Sequence, residues 1–248
     1  NQNSETDRSH NNWFGRFGAT WHITSNDDLA LNLTGMKGGG DEDEIIHYNS
    51  VDGSGNPVYT SDRSTTGESD MQMYNVELNY RHKFSENSDI DITVSNNQWK
   101  NDRENIYQQS TEYVDPTQTE DPVYQTQNTG INDKTWEAQA DYTLKLSDIA
   151  RIEAGYKGTF QRNESPVDTY TGTNESDIQQ DKTLYNRFLY NQDVHALYLT
   201  YGGKWGNLSY QAGLRGEYWN VKTHSLNYDQ EFNGEPSEVF EKDYFKLF

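Results

Sequence analysis

The chain contains no cysteine, which removes disulfides, thiolate chemistry and cysteine-based zinc sites. No stretch approaches the roughly 18 consecutive apolar residues of a membrane helix, so a helical span is excluded. Basic side chains are scarce: 20 Lys and Arg face 40 Asp and Glu, for a net charge of −20. That balance argues against nucleic acid and against anionic membrane surfaces as partners. Hydrophobic residues make up only 31% of the chain, which by itself admits disorder. Two features oppose disorder: 13% of residues are aromatic, and the apolar residues are phased rather than scattered. No Gly-rich phosphate motif opens a helix, the six histidines show no metal-ligand spacing, and no cofactor is expected. Asn1–His10 is polar and has no leader character, so an exported protein is expected to begin upstream.

The phasing is clearest in Leu208–Trp219. Leu208, Tyr210, Ala212, Leu214 and Tyr218 alternate with Ser209, Gln211, Gly213, Arg215 and Glu217. A period of two is a strand with one apolar and one wet side. Arg215 and Glu217 do not fit an ordinary dry core unless paired. A long strand that is apolar on one side and charged on the other suits the wall of a membrane barrel.

The same pattern recurs from the start. Asn1–Asn11 reads as the tail of a loop. Strands are predicted at Asn12–Thr24, Leu29–Met36, Gln72–Phe84, from Asp89, at Thr135–Leu146, Arg151–Arg162, Gln192–Trp205 and Leu208–Trp219, with a ninth beginning at Tyr244–Phe248. Tight turns are predicted at Ser25–Asp28, Ser85–Ser88, Ser147–Ala150 and Gly206–Asn207 by residue type. Lys37–Asp70, Lys100–Lys134, Asn163–Asn186 and Lys222–Asp243 read as long polar loops, the first with a hairpin near Ile45–Tyr48 and Pro57–Ser61. Short and long connections alternate, and all five prolines fall in the long ones, as ladder hydrogen bonding requires. Short turns at one rim and long loops at the other are the pattern of outer-membrane barrels. The fold expected is all-β: an antiparallel up-and-down transmembrane β-barrel, or a segment of one, over residues 1–248.

In lipid such a sheet has to close so that every backbone group is paired. One face then turns to the lumen. Arg16, Glu77, Arg81, Glu137, Asp141, Glu153, Lys157, Arg215 and Glu217 are the lumen-facing candidates, with Asp91 and Lys145 on the same phase. The plainer reading makes them scaffold ion pairs. Loop tyrosines Tyr48, Tyr59, Tyr113, Tyr124 and Tyr170 are candidates for ligand contact, against simple loop–loop packing. Asp41 and Asp43, in the run Asp41–Glu44, are weak metal candidates without the spacing of a calcium loop. The six tryptophans, Trp13, Trp21, Trp99, Trp136, Trp205 and Trp219, mostly lie near strand ends and read as an interfacial girdle.

Several segments carry a family resemblance. Asn191–Tyr201, then Gly206-Asn207-Leu208, then Gln211-Ala212-Gly213-Leu214-Arg215-Gly216-Glu217, and the terminal Phe245-Lys246-Leu247-Phe248 resemble the C-terminal half of the outer-membrane β-barrel family related to TonB-dependent receptors, common in Bacteroidetes. The Ala-Gly-Leu-Arg-x-Glu strand following the Ala-x-Tyr strand is its most specific part. The resemblance implies a barrel of typically 22 strands following a plug domain, TonB-type energy coupling, and uptake of a small nutrient through the outer membrane. Plug and coupling segment are not in this chain and are expected in the parent protein. Outer-membrane lipid and an unknown nutrient are the expected partners. No enzyme signature is present, and no catalysis is expected. Two other classes compete. A soluble β-sandwich used for binding or adhesion would pack the apolar faces together and spread long loops over both ends. A small eight-stranded barrel would act structurally.

Overall fold

Leu, Tyr and Trp alternating with Asn, Thr and Glu make strands, and each strand finds its partner in the next segment of chain. The computed structural model describes residues 1–248. Its elements are β1 (Gln2–His22), β2 (Asp27–Val51), β3 (Pro57–Ser85), β4 (Ser88–Tyr113), β5 (Val123–Ser147), β6 (Ala150–Gly172), the two-residue β7 (Gln179–Gln180), β8 (Asn186–Trp205), β9 (Leu208–Leu226), the short helix α1 (Tyr228–Phe232) and β10 (Val239–Leu247). One antiparallel sheet runs in the order β1-β2-β3-β4-β5-β6-β8-β9-β10, with β7 on the flank of β6. The meander is open, since β1 and β10 form its two edges and do not pair with each other.

The sheet is a single layer. Only 9 of 248 residues are buried, and Ala196 is the one apolar side chain among the buried core. A sandwich would bury its apolar faces against each other, so this architecture excludes the soluble two-layer alternative. The apolar face instead stands open: Trp13, Phe17, Leu197, Leu208, Leu214 and Phe245 are all exposed. Such a surface suits lipid rather than water.

Register links the strands into lateral rows. One row on the apolar face runs Trp21, Leu29, Tyr80, Ile92, Ala140, Tyr156, Leu197, Gly216, Leu247. The apolar band descends relative to these rows. Its lower end is Trp21 in β1 but Trp205 in β8, eight residues beyond Leu197 of the same row, across six strand-to-strand steps. A stagger of about one residue per strand corresponds to the roughly 40° tilt of barrel strands. The upper end of the band carries Trp13, Tyr74, Trp136, Phe160, Tyr218 and Phe245, and the lower end Trp21, Phe84, Trp205 and Tyr210.

The strands are much longer than a membrane requires. β3 has 29 residues and β9 has 19, whereas about 9–11 tilted residues cross a bilayer. At about 3.3 Å per residue, β3 is about 95 Å long. The stretches Lys37–Asp70, Lys100–Lys134 and Asn163–Asn186, expected as loops, are largely continuations of the same hairpins: β2 and β3 stay paired from Asp27↔His82 up to Val51↔Pro57, and Asn1–Asn11 pairs with β2 along Gln2↔Tyr48 to Asn11↔Gly39. Above the membrane both faces meet water, so alternation vanishes while the ladder persists. The wide-rim connections that remain are 52–56, 114–122, 173–185 and 227–238, against tight turns at the other rim.

Proline placement also differs from expectation. Pro57 opens β3, a permitted position, and Pro166 lies inside β6. The β5–β6 ladder is interrupted there, between Thr129↔Val167 and Asn132↔Glu164, while Pro166 still faces Arg187 of β8. A proline supplies no N–H, and the missing rungs on the β5 side match that deficit.

Candidate functional site

The face opposite the apolar band carries the ionisable residues. Asp28, Arg81, Asp91, Asp141, Gly155, Tyr198 and Arg215 share one lateral row. Arg81 donates to Asp89 at 3.1 Å and lies 3.9 Å from Asp91. Tyr198 donates its hydroxyl to Asp141, which also accepts from Gln139 at 2.6 Å. The Arg215 guanidinium sits over the Tyr198 ring at 5.4 Å and bonds Glu217 at 2.6 Å. Glu217 also accepts from the Trp219 indole N–H at 3.0 Å. On neighbouring rows Lys157 pairs with Glu137 at 3.2 Å, Thr159 donates to the same Glu137, and Arg151 pairs with Glu153 at 3.2 Å. Glu77 accepts from Asn32 at 3.1 Å. The result is a lateral, two-sign polar network whose cross-strand pairs each contribute modestly.

Strand register brings most of these residues within reach. Gly155 opposes Tyr198 on the ladder, and a Cβ there would come within 2.4–2.6 Å of the Tyr198 ring. Only glycine lets the ring lie flat across β6 toward Asp141 on β5. Of the nine candidates from the sequence, Arg81, Glu137, Asp141, Glu153, Lys157, Arg215 and Glu217 lie in these pairs. Glu77 is held by Asn32, and Arg16 stands on the same face beside Thr34 at the β1 edge. Tyr198, Gln139, Asn32 and Trp219 are not among the site candidates from the sequence, where Trp219 is assigned to the girdle. Leu197-Tyr198-Leu199 is apolar on both sides, which hid its phase; the legible signal was the cross-strand glycine. Trp99 and Trp219 lie on this polar face and so are not part of the girdle, which correspondingly draws on Trp13, Trp21, Trp136 and Trp205.

Higher up, the same face bears a second cluster. Glu42 on β2 receives Arg8 from β1 at 2.6 Å and Arg103 from β4 at 2.6 Å. Arg103 reaches across β3 because Gly67 occupies the crossing; a Cβ there would lie 2.9 Å from Asn105 Oδ1 and 3.3 Å from Arg103 Nη2. Hydrogen bonds from Arg8 and then Arg103 hold the Glu42 carboxyl below the ordinary glutamate range. Tyr59 and Tyr113 meet with ring centroids 5.6 Å apart, Tyr48 lies on the same face beside Ser61, and Arg63 covers the Tyr107 ring at 4.7 Å. Desolvation and Glu120 push the Tyr113 hydroxyl up.

Tyr124 and Tyr170 do not join them. They are on the opposite, outward face, Tyr124 beside Gln108 and Tyr170 bonded to Asp168 at 3.1 Å, which raises its hydroxyl. Tyr124 borders an outward hollow of about 630 Å³ with His47, Asp62 and Ser64. Asp41 and Asp43 also point outward; Asp41 accepts from Ser9 at 3.1 Å and Asp43 faces Asp7. Three metal-ligating side chains do not converge on them, because an extended strand holds same-face neighbours about 6–7 Å apart. At the wide rim, α1 is tied down by Glu231, which accepts from Tyr185 at 2.7 Å and Arg187 at 2.5 Å. Burial and Glu231 push the Tyr185 hydroxyl up to about 12.

The model of the Outer membrane protein beta-barrel family matches residues 82–248. No curated protein matches the chain. Among solved structures, the chain is similar to the outer membrane protease OmpT from Escherichia coli, with 9% identity, 98% of this chain and 93% of that one covered, and a TM-score of 0.30. It is similar to the siderophore receptor PiuA from Acinetobacter baumannii, with 10% identity, 98% and 45% covered, and a TM-score of 0.47. It is also similar to the ferric-catecholate import receptor Fiu from E. coli K12, with 8% identity, 98% and 50% covered, and a TM-score of 0.47. The chain thus spans half or less of the length of these two receptors.

Proposed function

The chain belongs to the outer membrane protein β-barrel family, and from that premise we propose that it forms part of the barrel wall of a TonB-dependent-type receptor that takes up a nutrient. The observation that carries this reading is the polar network of Arg81, Asp141, Lys157, Glu137, Arg215 and Glu217 on an open nine-strand wall. Charges of both signs on an inward face suit a lumen wide enough to hold water or a plug, and not the packed interior of a small barrel. In the full-length protein a plug domain and TonB-type coupling would act against this face, and the rim tyrosines Tyr48, Tyr59 and Tyr113 would meet the nutrient. The protein binds and passes solute without transforming it in this reading: its His–Asp pairs, His22–Asp28, His47–Asp62 and His82–Asp27, are all direct cross-strand partners, a scaffold arrangement.

The test is growth of a strain lacking the full-length protein on a panel of sole carbon, nitrogen and iron sources. Loss of growth on one source, restored by the intact gene and abolished again by a protonophore during uptake assays, is the expected outcome. Uptake that persists without an energised membrane, or a constant ion conductance in planar bilayers, would instead assign a passive pore.

A further inference from the structure

The charge of the whole chain is strongly negative, but its outward face is not uniformly so. At and above the upper aromatic end of the apolar band, register places a series of outward-facing cations. Lys37 stands beside Trp13, and Lys100 one strand beyond Gln72. Lys134 and Arg162 are direct cross-strand partners, and they lie one alternate position above Trp136 and Phe160, which are also direct partners. Lys222 follows beyond Asn191. Five of the chain's 20 basic residues thus lie between the level of the upper aromatics, as Lys37 does, and four residues above it, as Lys222 does relative to Tyr218.

Two like charges placed opposite each other on a ladder are destabilising when nothing lies between them. Lys134 has no carboxylate within ion-pair distance, while Arg162 holds Asp193 at 2.6 Å. The other cations have exposed acidic neighbours: Lys37 with Asp70 at 3.4 Å, Lys100 with Asp102, and Lys222 with Glu241 at 3.5 Å. Exposed pairs of this kind are weak and exchange readily with another anion. The aromatic pair marks the depth at which headgroups begin. An anion at that depth, facing outward, belongs to the lipid.

We propose that Lys134 and Arg162, supported by Lys37, Lys100 and Lys222, form a contact belt for phosphate-bearing lipid headgroups of the surrounding leaflet. The inference rests on the outer-membrane assignment and is independent of the transport reading. Screening confines each charge's influence to about 8–10 Å, so the net charge of −20 does not decide what meets Lys134 and Arg162.

The experiment uses the full-length protein in phosphatidylcholine vesicles containing trace spin-labelled phosphatidic acid or spin-labelled phosphatidylcholine, and electron spin resonance to obtain relative association. The wild-type protein is expected to prefer phosphatidic acid. K134Q/R162Q is expected to lower that preference on the order of fivefold for each cation removed, while K134R/R162K keeps it; heat-modifiable gel mobility establishes that each variant is folded. The control is K145Q/R151Q, which removes an opposed cation pair from the inner face at the tight-turn rim. Absence of any preference in the wild-type protein overturns the proposal. So does an equal loss in K145Q/R151Q, which would make the effect one of net charge.

Discussion

Each long hairpin has two halves that share one backbone ladder and almost nothing else. In the lower half, Leu29, Leu31 and Leu33 of β2 face Tyr80, Leu78 and Val76 of β3 on the lipid side, with Asn32 and Glu77 behind them. In the upper half of the same two strands, Asp41, Asp43, Glu68 and Asp70 take the outward positions that leucines hold below. The hydrogen-bonded ladder is continuous across the change. Period-two amphipathicity therefore records where one face of a sheet touches lipid; it does not record where a strand ends. The upper half stands in water on both faces and is held by its backbone, by side-chain ties such as Arg8–Glu42–Arg103, and by glycines that let those ties cross.

The sharpest way to test this contrast is to place the same charge in both halves. Leu214 faces outward near the middle of the apolar band, opposite Leu199. Leu214→Arg is expected to cost about 2–4 kcal/mol and to block assembly, read as loss of heat-modifiable mobility of the full-length protein. Thr66→Arg, on the same outward face but above the membrane between Asp43 and Ile106, should stay within about 0.5 kcal/mol. Gln211→Arg, inward at the level of the band, should be far milder than Leu214→Arg. Equal damage at all three positions would break the division into lipid and water faces.

Smaller effects should appear when the upper half is disturbed alone. Gly67→Val would drive Arg103 off Glu42, for about 1–3 kcal/mol of local overpacking. The expected result is faster proteolytic nicking of the β1–β4 extensions with unchanged barrel assembly. Loss of assembly as well would show that the halves are energetically one unit.

The smallest effect is one of pH. Glu42 has its carboxyl lowered in the folded protein by Arg8 and then Arg103. A lowered carboxyl contributes stability above the unfolded value of about 4.3, and that contribution falls away as pH drops through the folded value. Protease resistance of the extension should thus decline below about pH 4, and Glu42→Gln should remove that dependence while leaving the membrane half untouched. An unchanged pH profile in Glu42→Gln would assign the tie no role.

How much could be read beforehand follows from the same contrast. The membrane half was legible because lipid imposes alternation, and the tight turns because Asn, Asp, Ser and Gly mark them. That Glu137, Asp141, Lys157, Arg215 and Glu217 share the face opposite the apolar side chains followed directly. Trp99, Trp219, Tyr124 and Tyr170 were not legible, since an aromatic near a strand end fits either face until register is known. The upper hairpins have the sequence character of loops because water on both sides removes the only periodic signal a strand writes into its sequence.

By itself, then, the sequence determined the class of architecture, the meander order and which residues share a face within each membrane segment, because those depend on near neighbours and on solvent. Tertiary structure alone decided how far each hairpin continues, which residues of distant strands meet, and that Lys134 lies against Arg162 above Trp136 and Phe160. Register is the reason. It is set by the summed ladder of two long strands, and no local run of residues reports it.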